Sequence, residues 1–213
     1  MQPFTIVTGK AAPLPAPNID TDVIMPKQFL KGVDRKGLNI GAFFSLRFDA
    51  SGSPNPGFIL NQPGWEDARF LITGPNFGCG SSREHAVWGL SQLGIRALIG
   101  TSFAGIFNDN CQRNGLLTVI LPPAVIDDLI ARVTHREANT LTIDLPRQTI
   151  ALEADGMTIP FDIEPLRKDA LMRGLDAVSA TLQQYAGDIR AFEQIHHAAN
   201  PWLIGREQRT MPR

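Results

Sequence analysis

FLITGPNFGCGSSREHAVWGLSQLGIRALIG, residues 70–100, is the stretch whose reading decides the fold class. Phe70 to Thr73 form a short, mainly apolar run that ends in glycine and reads as a buried strand. A polar loop follows. Ala86, Leu90 and Leu93 then recur at helical spacing on one face, and Gly94 closes that helix. Ala97 to Gly100 repeat the apolar run and read as a second buried strand. Strand, helix and strand in this order make the βαβ unit of a parallel sheet.

The same alternation continues outward. Residues 103–115, FAGIFNDNCQRNG, read as a helix stopped by Asn-Gly, and residues 116–121, LLTVIL, as a third strand. After Pro122-Pro123 the pattern predicts a helix through Val133, then strands in LTIDL, TIALEA and MTIPFDI, and a last amphipathic helix from about Glu164 to Gly174. The first 65 residues carry prolines at 3, 13, 15, 17, 26, 54, 56 and 63, which breaks them into turns. Within them FTIV (4–7) and DVIM (22–25) read as brief strands. The expected architecture is therefore α/β, with a βαβ parallel core and an irregular, strand- and loop-rich N-terminal part. A single domain is expected over residues 1–200, with a tail over 201–213 that has little to hold it and is expected to be partly disordered.

The chain has 213 residues and 43% apolar content, enough to bury a core. Lys and Arg number 20 against 21 Asp and Glu, and no basic run tracks a phosphate backbone, so nucleic acid is not an expected partner. MQPFTIVTGK lacks a basic then apolar leader, and no apolar run nears the roughly 20 residues that span a bilayer. A cytoplasmic protein without membrane contact is expected. Cys79 and Cys111 are the only cysteines, too few to hold an iron-sulfur cluster or a structural zinc unaided. Any such centre has to come from elsewhere.

The loop GCGSSREHA supports two readings. Ser81 followed by Glu84 fits a capping box, in which the serine oxygen accepts from the N3 amide and the glutamate reaches back to the serine amide. Alternatively, Gly78 and Gly80 leave bare backbone at the carboxyl end of a parallel strand, where open α/β sheets bind ligands. A helix start there suits an anion, and Arg83 adds a planar fork matched to a carboxylate. A serine in that field has its alkoxide form stabilised relative to bulk water. His85, inside the first helical turn, reads more readily as a hydrogen-bonded structural residue. No base is identifiable beside Cys79 to make it a nucleophile. NIDTD, taken alone, is an Asx-rich turn without the glycine and glutamate of a calcium loop.

NFGCGSSREHA resembles the swivelling small domain of the aconitase superfamily, and the form with cysteine between two glycines is similar to the small subunits of bacterial 3-isopropylmalate dehydratases. NIDTDVIMPKQFLK, residues 18–31, is similar to the family's N-terminal motif, and GLDAVSATLQ, residues 174–183, to its C-terminal helix region. Together the three blocks span most of the chain in the right order. The resemblance implies an aconitase-type swivelling β/β/α domain. It implies a hydro-lyase of leucine biosynthesis that interconverts 2-isopropylmalate and 3-isopropylmalate, a small dicarboxylate, by dehydration and rehydration.

By the same resemblance Ser81 is the catalytic base, while Ser82 and Arg83 hold substrate carboxylate and Thr21 and Asp22 line the site. Aconitases carry an arginine after this motif for a third carboxylate. Here Phe29 and Leu30 occupy the region and are expected either to contact an isopropyl group or to pack into this domain's own core. No cofactor is expected on this chain. A large subunit is expected to bring a [4Fe-4S] cluster, with the site completed across a heterodimer interface. Two rivals stay open on the sequence: the same chemistry on citramalate, dimethylmaleate or homoaconitate, and a non-catalytic partner-binding domain.

Overall fold

The computed structural model describes residues 1–31 and 35–204. In chain order its elements are β1 (Ile6–Leu14), α1 (Thr21–Ile24), α2 (Phe44–Arg47), β2 (Phe70–Thr73), α3 (His85–Gln92), β3 (Ala97–Gly100) and α4 (Gly105–Asn114). They continue with β4 (Leu117–Ile120), α5 (Pro123–Val133), β5 (Thr140–Asp144), β6 (Thr149–Leu152), β7 (Thr158–Pro160), α6 (Pro165–Arg173) and α7 (Ala177–Ala199). Among the described residues the strands form a single sheet in the order β4-β3-β2-β1-β5-β6-β7. β1 to β4 run parallel, and β5, β6 and β7 add as an antiparallel meander. The expected α/β core is present. β1 changes partner along its length: Ile6 to Lys10 pair with β5, and Ala11 to Leu14 pair with β2.

Alternate residues of a strand face opposite sides of a sheet, and here both sides are covered. Phe70, Ile72, Ala97, Ile99 and Val119 point to one side and pack with Leu129 and Val133 of α5 and with the inner face of the meander. Leu71 and Leu98 point to the other, where Ala86, Val87 and Leu90 of α3 and Phe107 and Cys111 of α4 cover them. This second layer holds the loop after β2 in place. Gly115 ends α4 at φ +78°, and Gly174 ends α6 at φ +67°, the left-handed positions that glycine adopts without penalty.

Two expectations about elements change. DVIM is helical rather than extended, because the Asp20 carboxylate accepts a 2.7 Å hydrogen bond from the Val23 N–H and caps one turn, α1. The helix at Glu164 to Gly174 is not the last, since α7 follows it. α7 starts behind Asp176, whose side chain accepts from the Ser179 N–H at 2.7 Å, and it is broken by a non-helical Tyr185. The chain divides into two compact units, Met1–Gly174 and Leu175–Arg213. Residues 205–213, most of the expected tail, lie outside the described residues.

Candidate active site

The loop after β2 reaches its shape through left-handed backbone. Asn76, Gly78 and Gly80 have φ of +56°, +78° and +96°. At Gly78 a second constraint applies, because a Cβ built there would sit 2.1 Å from Cγ of Phe107. The loop then runs beside the segment leading into α1, with Asp20 and Cys79 bridged as in a parallel ladder. The Gly78 N–H donates to the Ile19 carbonyl at 2.7 Å, the Thr21 N–H to the Cys79 carbonyl at 2.8 Å, and the Cys79 thiol to the Asn18 carbonyl at 3.4 Å. Asn76 Nδ2 donates to Asn18 Oδ1 at 2.8 Å. Two segments nearly 60 residues apart in sequence thus become one ridge.

That ridge brings Thr21 under Ser81. Thr21 is buried, with 1% of its surface exposed, and its Oγ1 accepts the Ser81 N–H at 3.1 Å. The two hydroxyl oxygens, Thr21 Oγ1 and Ser81 Oγ, lie 3.0 Å apart. The Ser81 carbonyl is the next acceptor, at 3.5 Å. Thr21 is turned to Ser81. Two residues further on, Arg83 forms an ion pair with Asp22: Nη1 meets Oδ1, and Nη2 lies 3.5 Å from Oδ2. Both contacts use the Nη end of the guanidinium. Ser82 and Asp22 are exposed, while Ser81 and Arg83 are half-buried, so the ridge opens toward solvent.

The S-x-x-E capping box does not form. α3 begins only at His85, its N-cap Glu84 makes no side-chain capping bond, and the Ser81 amide is already taken by Thr21. The Glu84 carboxylate instead accepts from Asn114 Nδ2 at 2.5 Å. Asn114 Oδ1 accepts from Trp88 Nε1 at 2.9 Å, and Asn110 Nδ2 donates to the Ser82 carbonyl at 3.3 Å. The asparagines of α4 therefore brace the loop from beneath. The sequence reading missed them, although Asn110 and Asn114 stand at i, i+4 and so share a helix face. His85, half-buried, packs its ring on Trp88 at 4.6 Å, and Arg35 covers Trp88 at 4.1 Å.

Phe29 and Leu30 fall in and just after a short 3-10 turn at Lys27–Phe29, and both are half-buried against the second core layer. The Phe29 ring packs on Phe44 with centroids 5.0 Å apart and lies against Gly41. Cys111 is fully buried and desolvation drives its thiol far up, while Cys79 is half-buried on the ridge. Among the described residues no three His, Cys, Asp or Glu side chains converge. No described helix is long and apolar enough to cross a membrane.

The aconitase C-terminal domain family matches residues 1–124, and the family of C-terminal domains of the 3-isopropylmalate dehydratase small subunit matches residues 179–206. The chain is 59% identical to 3-isopropylmalate dehydratase small subunit 1 of Mannheimia succiniciproducens, over 95% of this chain and 99% of that protein. It is 55% identical to small subunit 2 of Salmonella typhimurium, over 95% of this chain and 96% of that one. A solved structure of 3-isopropylmalate dehydratase from Methanocaldococcus jannaschii superposes with a TM-score of 0.62 at 25% identity, covering 87% of this chain and 99% of the archaeal one. By sequence and by fold, the chain belongs to the 3-isopropylmalate dehydratase small-subunit family, built on an aconitase-type domain.

Proposed function

We propose that this chain is the small subunit of a hydro-lyase that interconverts 2-isopropylmalate and 3-isopropylmalate in leucine biosynthesis, with Ser81 as the base that removes and returns the carbon-bound proton. The observation that carries the reading is the Ser81 hydroxyl, held against a buried Thr21 two residues ahead of a guanidinium. Family membership at 59% identity over nearly the whole chain supplies the reaction class. Ser82 and Arg83 bind a substrate carboxylate, and the fork geometry of an arginine suits its two oxygens. Asp22, paired to one edge of Arg83, aims that clamp and borders the substrate. Phe29 or Leu30 meets the branched alkyl group.

Dehydration here means loss of a proton from one carbon and of hydroxyl from its neighbour, followed by addition in the other sense. Serine is too weak an acid to ionise readily at neutral pH, so a serine base needs fixed donors and a dry site. The ridge supplies donors but opens toward solvent, and a second body is needed to exclude water. A large subunit holding a [4Fe-4S] cluster fills that place, and this chain contributes the base and the carboxylate clamp across the interface. In the cytoplasm the pair works as a heterodimer.

The test is co-expression with a large subunit and an anaerobic panel of malates. The complex should turn over isopropylmalate, and the chain alone should be colourless and inactive. Ser81→Ala in the complex should lower kcat by about 10²-fold or more with little change in KM, as for loss of a positioned proton-transfer group. Turnover by the chain alone, or a fully active Ser81→Ala complex, would refute the assignment.

A further inference from the structure

An alkoxide can only accept hydrogen bonds, so the groups that face Ser81 Oγ decide how readily it forms. Thr21 is the neighbour whose hydroxyl oxygen lies 3.0 Å away. In the neutral pair either hydroxyl can donate, but once Ser81 Oγ is ionised it only accepts, and Thr21 is then the donor between them. Thr21 Oγ1 already accepts the Ser81 N–H at 3.1 Å, and its one proton has two acceptors in reach, Ser81 Oγ at 3.0 Å and the Ser81 carbonyl at 3.5 Å. The nearer is Oγ. Thr21 is also 1% exposed, so water does not compete for that proton.

The charges around Ser81 are engaged elsewhere. From the α1 side, Asp20 accepts from the Val23 N–H and Asp22 pairs with Arg83. From the loop itself, Glu84 is held by Asn114, His85 stacks on Trp88, and the Cys79 thiol donates to the Asn18 carbonyl. α4 faces the loop with neutral Asn110 and Asn114. We infer that Thr21 is a positioning residue whose buried hydroxyl donates to Ser81 Oγ and holds the serine in its deprotonated, proton-accepting form. When Ser81 takes the proton from the substrate carbon it becomes a hydroxyl again, and the Thr21 bond reverts to an ordinary one between two hydroxyls. Thr21 thus stabilises the state before proton transfer and sets the pH at which that state is populated. The inference rests on the reading of Ser81 as base, and its test is separable from that reading.

Two measurements decide it. In the assembled heterodimer, Thr21→Val keeps the shape but removes the donor. It should lower kcat near neutral pH by about 10²-fold and move the acid limb of the pH–kcat profile to higher pH, while Thr21→Ser restores both. A purely structural threonine would leave the limb where it is. The second measurement needs no turnover. In the isolated full chain, Ser81→Cys puts a titratable thiol at the same place, and alkylation resolved by peptide mass reads its pKa apart from Cys79 and Cys111. That thiol should titrate below the ordinary value of about 8.5 and rise by about one pH unit when Thr21→Val is added. A thiol pKa unmoved by Thr21→Val, or an unmoved acid limb in the folded complex, overturns the inference. If Thr21→Val does not fold, Ser81→Cys alone decides, since a thiol at or above the ordinary value overturns it and a lower one supports it. Full activity of Ser81→Ala would sink the base assignment and leave the thiol titration to judge Thr21 on its own.

Discussion

Gly78→Ala tests the scaffold of the site most directly. The residue sits at φ +78°, and its missing Cβ would lie 2.1 Å from Cγ and 2.4 Å from Cδ1 of Phe107. Those atoms are the root of a ring that is 1% exposed and packed edge-on to Phe77 at 5.6 Å, so it cannot swing away as the tip of a long side chain would. The left-handed backbone costs an alanine about 1–2 kcal/mol. Forcing a methyl group into a filled core costs about 1–3 kcal/mol more. The sum is about 2–5 kcal/mol, and at about 2–4 °C per kcal/mol for a domain of this size the melting temperature should fall by about 4–20 °C. Urea unfolding of the isolated chain measures the free-energy loss, and a thermal melt the fall in melting temperature. A second arm separates the two causes. In a Phe107→Ala background the ring is gone, so Gly78→Ala should then cost only the backbone part, about 1–2 kcal/mol. Equal cost in both backgrounds refutes the collision, and an unchanged midpoint for Gly78→Ala refutes the whole argument.

Three further outcomes are expected. Arg83→Lys keeps the charge but loses the planar fork, so KM in the complex should rise about 10-fold or more, whereas an unchanged KM would show that Arg83 faces away from substrate. Leu30→Ala should lower kcat/KM for isopropylmalate by about 10- to 200-fold and spare shorter malates, while Phe29→Ala, which leaves a gap against Phe44 and Gly41, should lower the melting temperature and depress all substrates alike. Equal losses across the series in both variants would remove the pair from substrate recognition. Native alkylation at pH 8 should label Cys79 and not Cys111, because burial keeps the Cys111 thiol protonated and out of reach, and mass spectrometry of the peptides reads the contrast.

What the sequence makes legible is what its local signals determine. β2, β3 and α5 fall where the apolar runs, glycines and prolines place them, because each element carries its own start and stop. DVIM failed as a strand because a short apolar piece between prolines is weak evidence, and one capping aspartate outweighs it. α7 went unread by pattern although Val178, Leu182, Tyr185, Ile189 and Phe192 recur at helical spacing behind an aspartate cap. At the site, the small and polar residues of the loop announced Ser81 and Arg83. Their pairing with Thr21 and Asp22 was not legible there, although the resemblance of NIDTDVIMPKQFLK to the family's N-terminal motif had placed both residues near the site. Thr21 lies 60 residues from Ser81 and Asp22 lies 61 from Arg83, and only the docking of one segment on the other joins them. The capping box failed for the same reason, because a tertiary hydroxyl claimed the amide that a local motif would have used.

The change of partner along β1 bears on how the chain comes to be folded. Ala11 to Leu14 can pair once β2 has emerged, but Ile6 to Lys10 wait for β5, and the Thr8–Thr142 contact closes a loop of 134 residues. Closing so long a loop is entropically slow, and sheets held by distant pairings fold slowly. During synthesis the first-made half-strand therefore spends most of the chain's elongation with an open hydrogen-bonding edge, which is the kind of surface that recruits other chains. Yield in a cell will then depend on what shields residues 6–10 until residue 144 arrives.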